Sequence, residues 1–152
     1  MAGGLFSGCR WIRVATLALG LSAISAFAQP SIHQDDRLEG AYKFKKNGWT
    51  YVHLQGTPGQ IGYQHGYLLA AQIEDAYEVY KLEDEHSTQR DWAFYRNEAK
   101  NMLWPHIDSE YQEELSGIAE GVQAKGIKLD VWDIVAVNAT MELSQYYVPW
   151  LN

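Results

Sequence analysis

Three side chains of this sequence stand where chemistry could be done: His65, Asn138 and Glu142. An unperturbed imidazole changes charge near neutral pH, which makes His65 the first candidate for acid–base work. Ile134, Asn138 and Glu142 are spaced by four, so a helix puts them on one face. That face begins apolar and becomes an amide and a carboxylate. If it is buried, both polar groups need partners. They either hydrogen-bond a neighbouring loop as structural groups, or they line or brace an active site. Structural polar networks are common, which favours the first reading. His65 has the same two readings, and a lone histidine on a helix stripe is more often a satisfied core residue.

Other constellations are weaker. His33, His53, His86 and His106 are scattered without an HxxxH spacing, so no metal site is expected. Ser87, Ser109, Ser116 and Ser144 lack the GxSxG elbow of a serine nucleophile, and no glycine loop is built for phosphate. Asp84–Glu85 and Glu113–Glu114 are carboxylate pairs, but neighbours on a helix diverge, which argues against glycosidase chemistry. By local chemistry alone the chain holds no complete catalytic set.

The elements that must position these residues begin with a helix over residues 57–80. Thr57 is a good N-cap, Pro58 takes the first helical position, and Gln60 completes a capping box. Ile61, His65, Leu69 and Ile73 make one stripe, and Gly62, Gly66 and Ala70 a second stripe of small residues. Each Gly costs about 1 kcal/mol of helix stability. Two on one face predict the close approach of another backbone.

Before that helix, Asn47-Gly48 between two strand-like runs is a hairpin turn. With that turn, Phe44 faces Tyr51 and Tyr42 faces His53. Trp49 joins this aromatic face, while Lys43 and Lys45 take the other. An isolated hairpin is marginal in water, so a larger sheet or a helix should cover it.

Ser87 or Thr88 reads as the cap of a second helix, with Asp91 in its first turn. Trp92, Tyr95, Ala99 and Met102 or Leu103 trace its buried face, and Pro105 ends it. A third helix starts at Asp108 or Ser109, with the stripe Tyr111, Leu115, Ile118 and Val122. Its Glu110, Glu113, Glu114 and Glu120 read as a solvated face, and Gly126 as its end. Asp130 caps a fourth helix, over residues 131–143. The fold class expected is α+β, a β-hairpin followed by about four helices.

Residues 1–28 read as a secretory signal peptide. Arg10 and Arg13 precede an apolar run, and Ala26-Phe27-Ala28 fits the small-x-small rule, with cleavage after Ala28. The chain is therefore expected to be exported, to the periplasm or the medium. The single Cys9 leaves with the leader, so residues 29–152 carry no disulfide. Removing Arg10 and Arg13 takes the formal charge from −7 to −9. That excess argues against nucleic acid and anionic membranes as partners. Aromatics make up 13% of the chain, more than one small domain readily buries, which hints at a partner surface.

Three stretches together carry a resemblance: LQGTPGQIGYQHGYLLAAQI (54–73), EYQEELSGIAEGVQAKG (110–126) and LDVWDIVAVNATMEL (129–143). In order and spacing they resemble the N-terminal region of phospholipase B-like proteins, relatives of the penicillin acyltransferase group of cysteine N-terminal-nucleophile (Ntn) hydrolases. The resemblance implies that residues 29–152 are an incomplete part of a four-layer αββα Ntn fold. It implies acyl transfer from amide or ester bonds without a cofactor. In such enzymes a precursor cleaves itself before a Cys, whose thiol becomes the nucleophile and whose own α-amino group is the base. No such Cys stands in residues 29–152, so the nucleophile is expected beyond Asn152. The expected partner is the remainder of a precursor, or a large subunit carrying that Cys. The alternative is a free-standing exported helical binding module without catalysis.

Overall fold

The first long helix begins where the capping signals place it. In the computed structural model, which describes residues 35–151, α1 spans Pro58–Leu68. The Thr57 hydroxyl accepts from the Gln60 N–H, and the Gln60 side chain accepts from the Thr57 N–H at 2.9 Å. The signal peptide, its cleavage site and Cys9 lie outside the described residues.

The helix read over 57–80 is broken and also longer. Leu69 leaves helical geometry at φ −111° and ψ 17°, and α2 restarts over Ala70–Thr88. Neither Pro nor Gly stands at the break. The charged residues 81–86 continue α2, which ends at Gln89 in the left-handed region (φ 58°). Thr88 is therefore the last residue of one helix and not the cap of the next. Asp91 is that cap, accepting from the Phe94 N–H at 2.9 Å, and α3 runs Trp92–Glu98. It continues as a π-helical turn, Ala99–Leu103, and a 3-10 turn, Trp104–His106, that holds Pro105.

Helix α4, Ser109–Ala124, crosses α1 at very short range. A Cβ on Gly62 would lie 1.9 Å from the Glu114 carbonyl oxygen, and one on Gly66 2.1 Å from that of Ile118. The relation is mutual. A Cβ on Gly117 would lie 2.3 Å from the Gly59 oxygen, and one on Gly121 2.3 Å from that of Tyr63. Four glycines thus let two helix backbones touch, as the small-residue stripe predicted. Gly126, at φ 86°, ends α4 as expected.

Helix α5, Val131–Asn138, opens with a reciprocal capping box between Asp130 and Asp133. It stops at Ala139 (φ −109°, ψ 16°), short of the expected residue 143. A π-helical segment, Met141–Tyr147, and the short α6, Val148–Leu151, follow. The main core joins Trp92, Tyr95 and Ala99 to Val135, Ala136, Ala139 and Leu143. Burying an aromatic of that size contributes roughly 2–3 kcal/mol. Ile118 and Val122 of the α4 stripe are buried, whereas Tyr111, expected with them, is exposed.

The hairpin pairs as the turn dictates. β1 (Tyr42–Lys46) and β2 (Trp49–His53) run antiparallel with Phe44 opposite Tyr51 and Tyr42 opposite His53. Asn47 and Gly48 carry the positive φ values, 53° and 82°, of a type I′ turn. No further strand joins them among the described residues, so of the two covers expected, a larger sheet or a helix, the sheet is absent there. Tyr42, Phe44, Trp49 and Tyr51 stay exposed, Trp49 by 72%. The architecture is α+β, a two-stranded sheet followed by six α-helices among the described residues, more than the four expected because of the extra breaks.

Candidate functional site

His65 and Asn138 meet at one cavity of about 280 Å³. Its walls are His65 and Leu69 from α1 and its end, Gln72, Ile73 and Ala76 from α2, Ile118 from α4, and Ile134, Val137 and Asn138 from α5. The stripe His65–Leu69–Ile73 faces it as the four-residue spacing required. The cavity sits where two helices lose their regular geometry, at Leu69 and just past Asn138. Its lining is mostly apolar, with an imidazole at one end and two amides.

Glu142 is not part of it. The break at Ala139 and the wider turn of the following π-helix rotate Glu142 off the α5 stripe, and it is exposed. Asn138 is exposed as well, and its Nδ2 donates back to the Ile134 carbonyl at 2.9 Å. Of the expected face only Ile134 is buried. The buried polar stripe is thus replaced by one buried residue and two outward polar groups.

His65 is half-buried, and burial pushes its imidazole below the ordinary value of 6.5, with the nearby Glu114 carboxylate opposing. Glu114 is itself half-buried, so the expected solvated acidic face of α4 holds only in part. A depressed histidine value means that the unfolded chain binds the proton more readily. Stability therefore declines as pH falls from 6.5 towards the folded value, and is flat with respect to this group above 6.5. His65→Gln is expected to cost about 1 kcal/mol and to flatten that acid limb. Urea unfolding at a series of pH values checks both; an unchanged limb would separate His65 from the acid response.

Several polar residues that hold the molecule together were not legible as such. Gln64, 1% exposed, accepts from the Gln55 N–H at 2.8 Å and donates to the carbonyls of Arg37 and Gln55 at 2.7 and 2.9 Å. It ties the approach to the hairpin and its exit onto α1. Beside it the Arg37 guanidinium stacks 3.5 Å over the Tyr63 ring and pairs with Asp35 and Glu120. Arg37, and then the Tyr63 hydroxyl at 2.6 Å, hold the Asp35 carboxyl well below the usual range. Burial, and then Asp35, push Tyr63 up to about 12.

Asp133 is buried under α3, accepting from Trp92 Nε1 at 2.9 Å and from the Asp130 N–H at 3.0 Å. Arg96 forks onto Asp130 at 2.9 and 2.7 Å and also pairs with Asp133. Its hydrogen bonds to Asp130 hold its pKa above the ordinary arginine value. Asp84 is buried on α2. The signal for it was available: Ile73, Tyr77 and Asp84 recur at helical spacing, so a longer α2 carries Asp84 inward.

No known protein-family model matches this chain, and no solved structure matches it. An uncharacterized protein of Archaeoglobus fulgidus is 29% identical over 102 residues, a match covering 60% of this chain. The match takes in only 16% of that protein's length.

Proposed function

We propose that this chain is the N-terminal, non-nucleophile part of an exported, self-processing Ntn amidohydrolase or acyltransferase, or of a phospholipase B-like hydrolase. It acts on amide or ester acyl bonds only together with a chain that supplies the Cys. The observation that carries this reading is the bare hairpin. Two strands with open outer edges and four exposed aromatics are a poor resting state in water and a good docking edge for further strands. Tyr146, Trp150 and Leu151 add apolar surface at the other end of the described chain. In this reading the partner's thiol attacks the acyl carbonyl while its α-amino group takes the thiol proton. The C–N or C–O bond breaks, that proton goes to the departing amine or alcohol, and water then hydrolyses the thioester to free the acid and the thiol. Asn138 and Glu142, both outward, brace the segment that carries the new N-terminus.

Intact mass and N-terminal sequencing of the natural protein test this. Two co-purifying polypeptides are expected, the second starting with Cys followed by Ser or Thr. In the precursor, Asn138→Ala and Glu142→Ala are expected to slow self-cleavage at least about tenfold with little change in Tm. One polypeptide with the mass of residues 29–152 would overturn the proposal.

The second reading, a free-standing exported helical binding module, draws on the well-closed core around Tyr95 and Leu143, both fully buried. The same mass measurement separates the two.

A further inference from the structure

A cleft of about 700 Å³ opens between α2 and the helical segments that follow Ala139. Tyr80, Glu83, Asp84, Ser87 and Thr88 line it from α2, and Thr140, Met141, Ser144 and Val148 are among those facing them. Asp84 is 4% exposed, and its Oδ2 has no hydrogen-bond partner among the described residues. Burial, and Glu83 beside it, push the Asp84 carboxyl up, so its ionised form is costly here until a cation meets it. Nothing lining the cleft offsets the charge: no Lys, Arg or His is present, and Glu83 adds a second acid. The Ser144 hydroxyl lies within reach of the Asp84 carboxyl, but its proton goes to the Thr140 carbonyl at 2.6 Å. Thr88 Oγ1 is likewise engaged, with the Asp84 carbonyl at 2.7 Å and the Tyr95 hydroxyl at 2.6 Å. The local donors are spent, and the acceptor remains.

We propose that this cleft binds a primary alkylammonium group, with the Asp84 carboxylate as its counter-ion. An ammonium brings three N–H donors and a positive charge, which fits a carboxylate flanked by hydroxyl oxygens. Its alkyl body fits the apolar remainder of the wall, supplied by Tyr80, Met141, Val148 and Pro149. A metal ion fits less well, because no group of three His, Cys, Asp or Glu side chains converges among the described residues. The ammonium is either that of a free small amine or the side chain of a lysine in a peptide. The site lies wholly within described residues and depends on neither functional reading above.

Titration of the full chain at neutral pH with n-butylammonium chloride, followed by amide chemical shifts, tests the proposal. Saturable shifts are expected in Tyr80, Asp84 and Ser144. Asp84→Asn is expected to weaken binding at least about tenfold, the loss of one charge-assisted contact. n-Butanol, which has the same shape without the charge, should bind the unaltered chain at least about tenfold more weakly, a comparison that needs no variant. A tripeptide with one central lysine, blocked at both ends, distinguishes the sources. Tighter binding than butylammonium points to a lysine ligand, and weaker binding to a free amine. Equal binding of butanol and butylammonium, equal binding by Asp84→Asn, or no saturable shift with either amine would overturn the proposal.

Discussion

Gly66→Ala is expected to destabilise this protein by about 3 kcal/mol, although the same change on an exposed helix normally stabilises by about 1 kcal/mol. The sign inverts because the new methyl group would lie 2.1 Å from the backbone oxygen of Ile118, which belongs to a packed helix and cannot turn aside. Gly121→Ala should behave alike, against the Tyr63 oxygen at 2.3 Å and the Tyr67 nitrogen at 2.6 Å. Gly59→Ala, on the same helix, is the internal control. Its methyl would meet only the Glu113 oxygen at 3.9 Å, an ordinary contact. That variant should be neutral or gain up to about 1 kcal/mol. Thermal unfolding by circular dichroism reads the difference as a fall in Tm of roughly 10 °C for Gly66→Ala and none for Gly59→Ala. Equal Tm for both would mean that the two helices do not touch along this stripe.

Asp133→Ala is expected to cost about 3 kcal/mol. The change removes the acceptor of Trp92 Nε1, a partner of Arg96 and the side chain that closes the α5 capping box. Leaving buried donors unpaired costs 1–3 kcal/mol each, and breaking a buried ion pair roughly 3–5 kcal/mol. The sum falls at the low end because Arg96 is partly exposed and keeps its fork onto Asp130. Asp133→Asn keeps an oxygen for Trp92 and should lose less than half as much. Urea midpoints of the two variants, at unchanged slope, check the ranking; equal losses would place the effect in the charge alone.

Much of the frame was legible because its signals are local. Thr57 with Gln60, Asn47 with Gly48, and Asp130 each act within three or four residues, and all three appear as read. The glycine stripe was legible for a different reason: Gly62 and Gly66 weaken their own helix, so only a tertiary contact explains them. The breaks at Leu69 and Ala139 were not legible. Both residues are ordinary helix formers, so no local signal marks either break. Those breaks decided which candidate residues converge. His65 and Asn138 reach one cavity, while Glu142 is turned away. Asp84 stands in a charged run that masks its place on the helix; charge alone does not end a helix when its inward face continues.

The crossing of α1 and α4 also dictates an order of events during synthesis. Gly66 finds its partner, Ile118, only after all of α2 and α3 has been made. At about 5–20 residues per second, that wait lasts on the order of seconds. Until then α1 is a short helix carrying three glycines, too weak to persist without its neighbour. The first helix thus depends on a contact with residues made about fifty positions later. Non-local pairing of this kind makes folding slower than local helix contacts alone would.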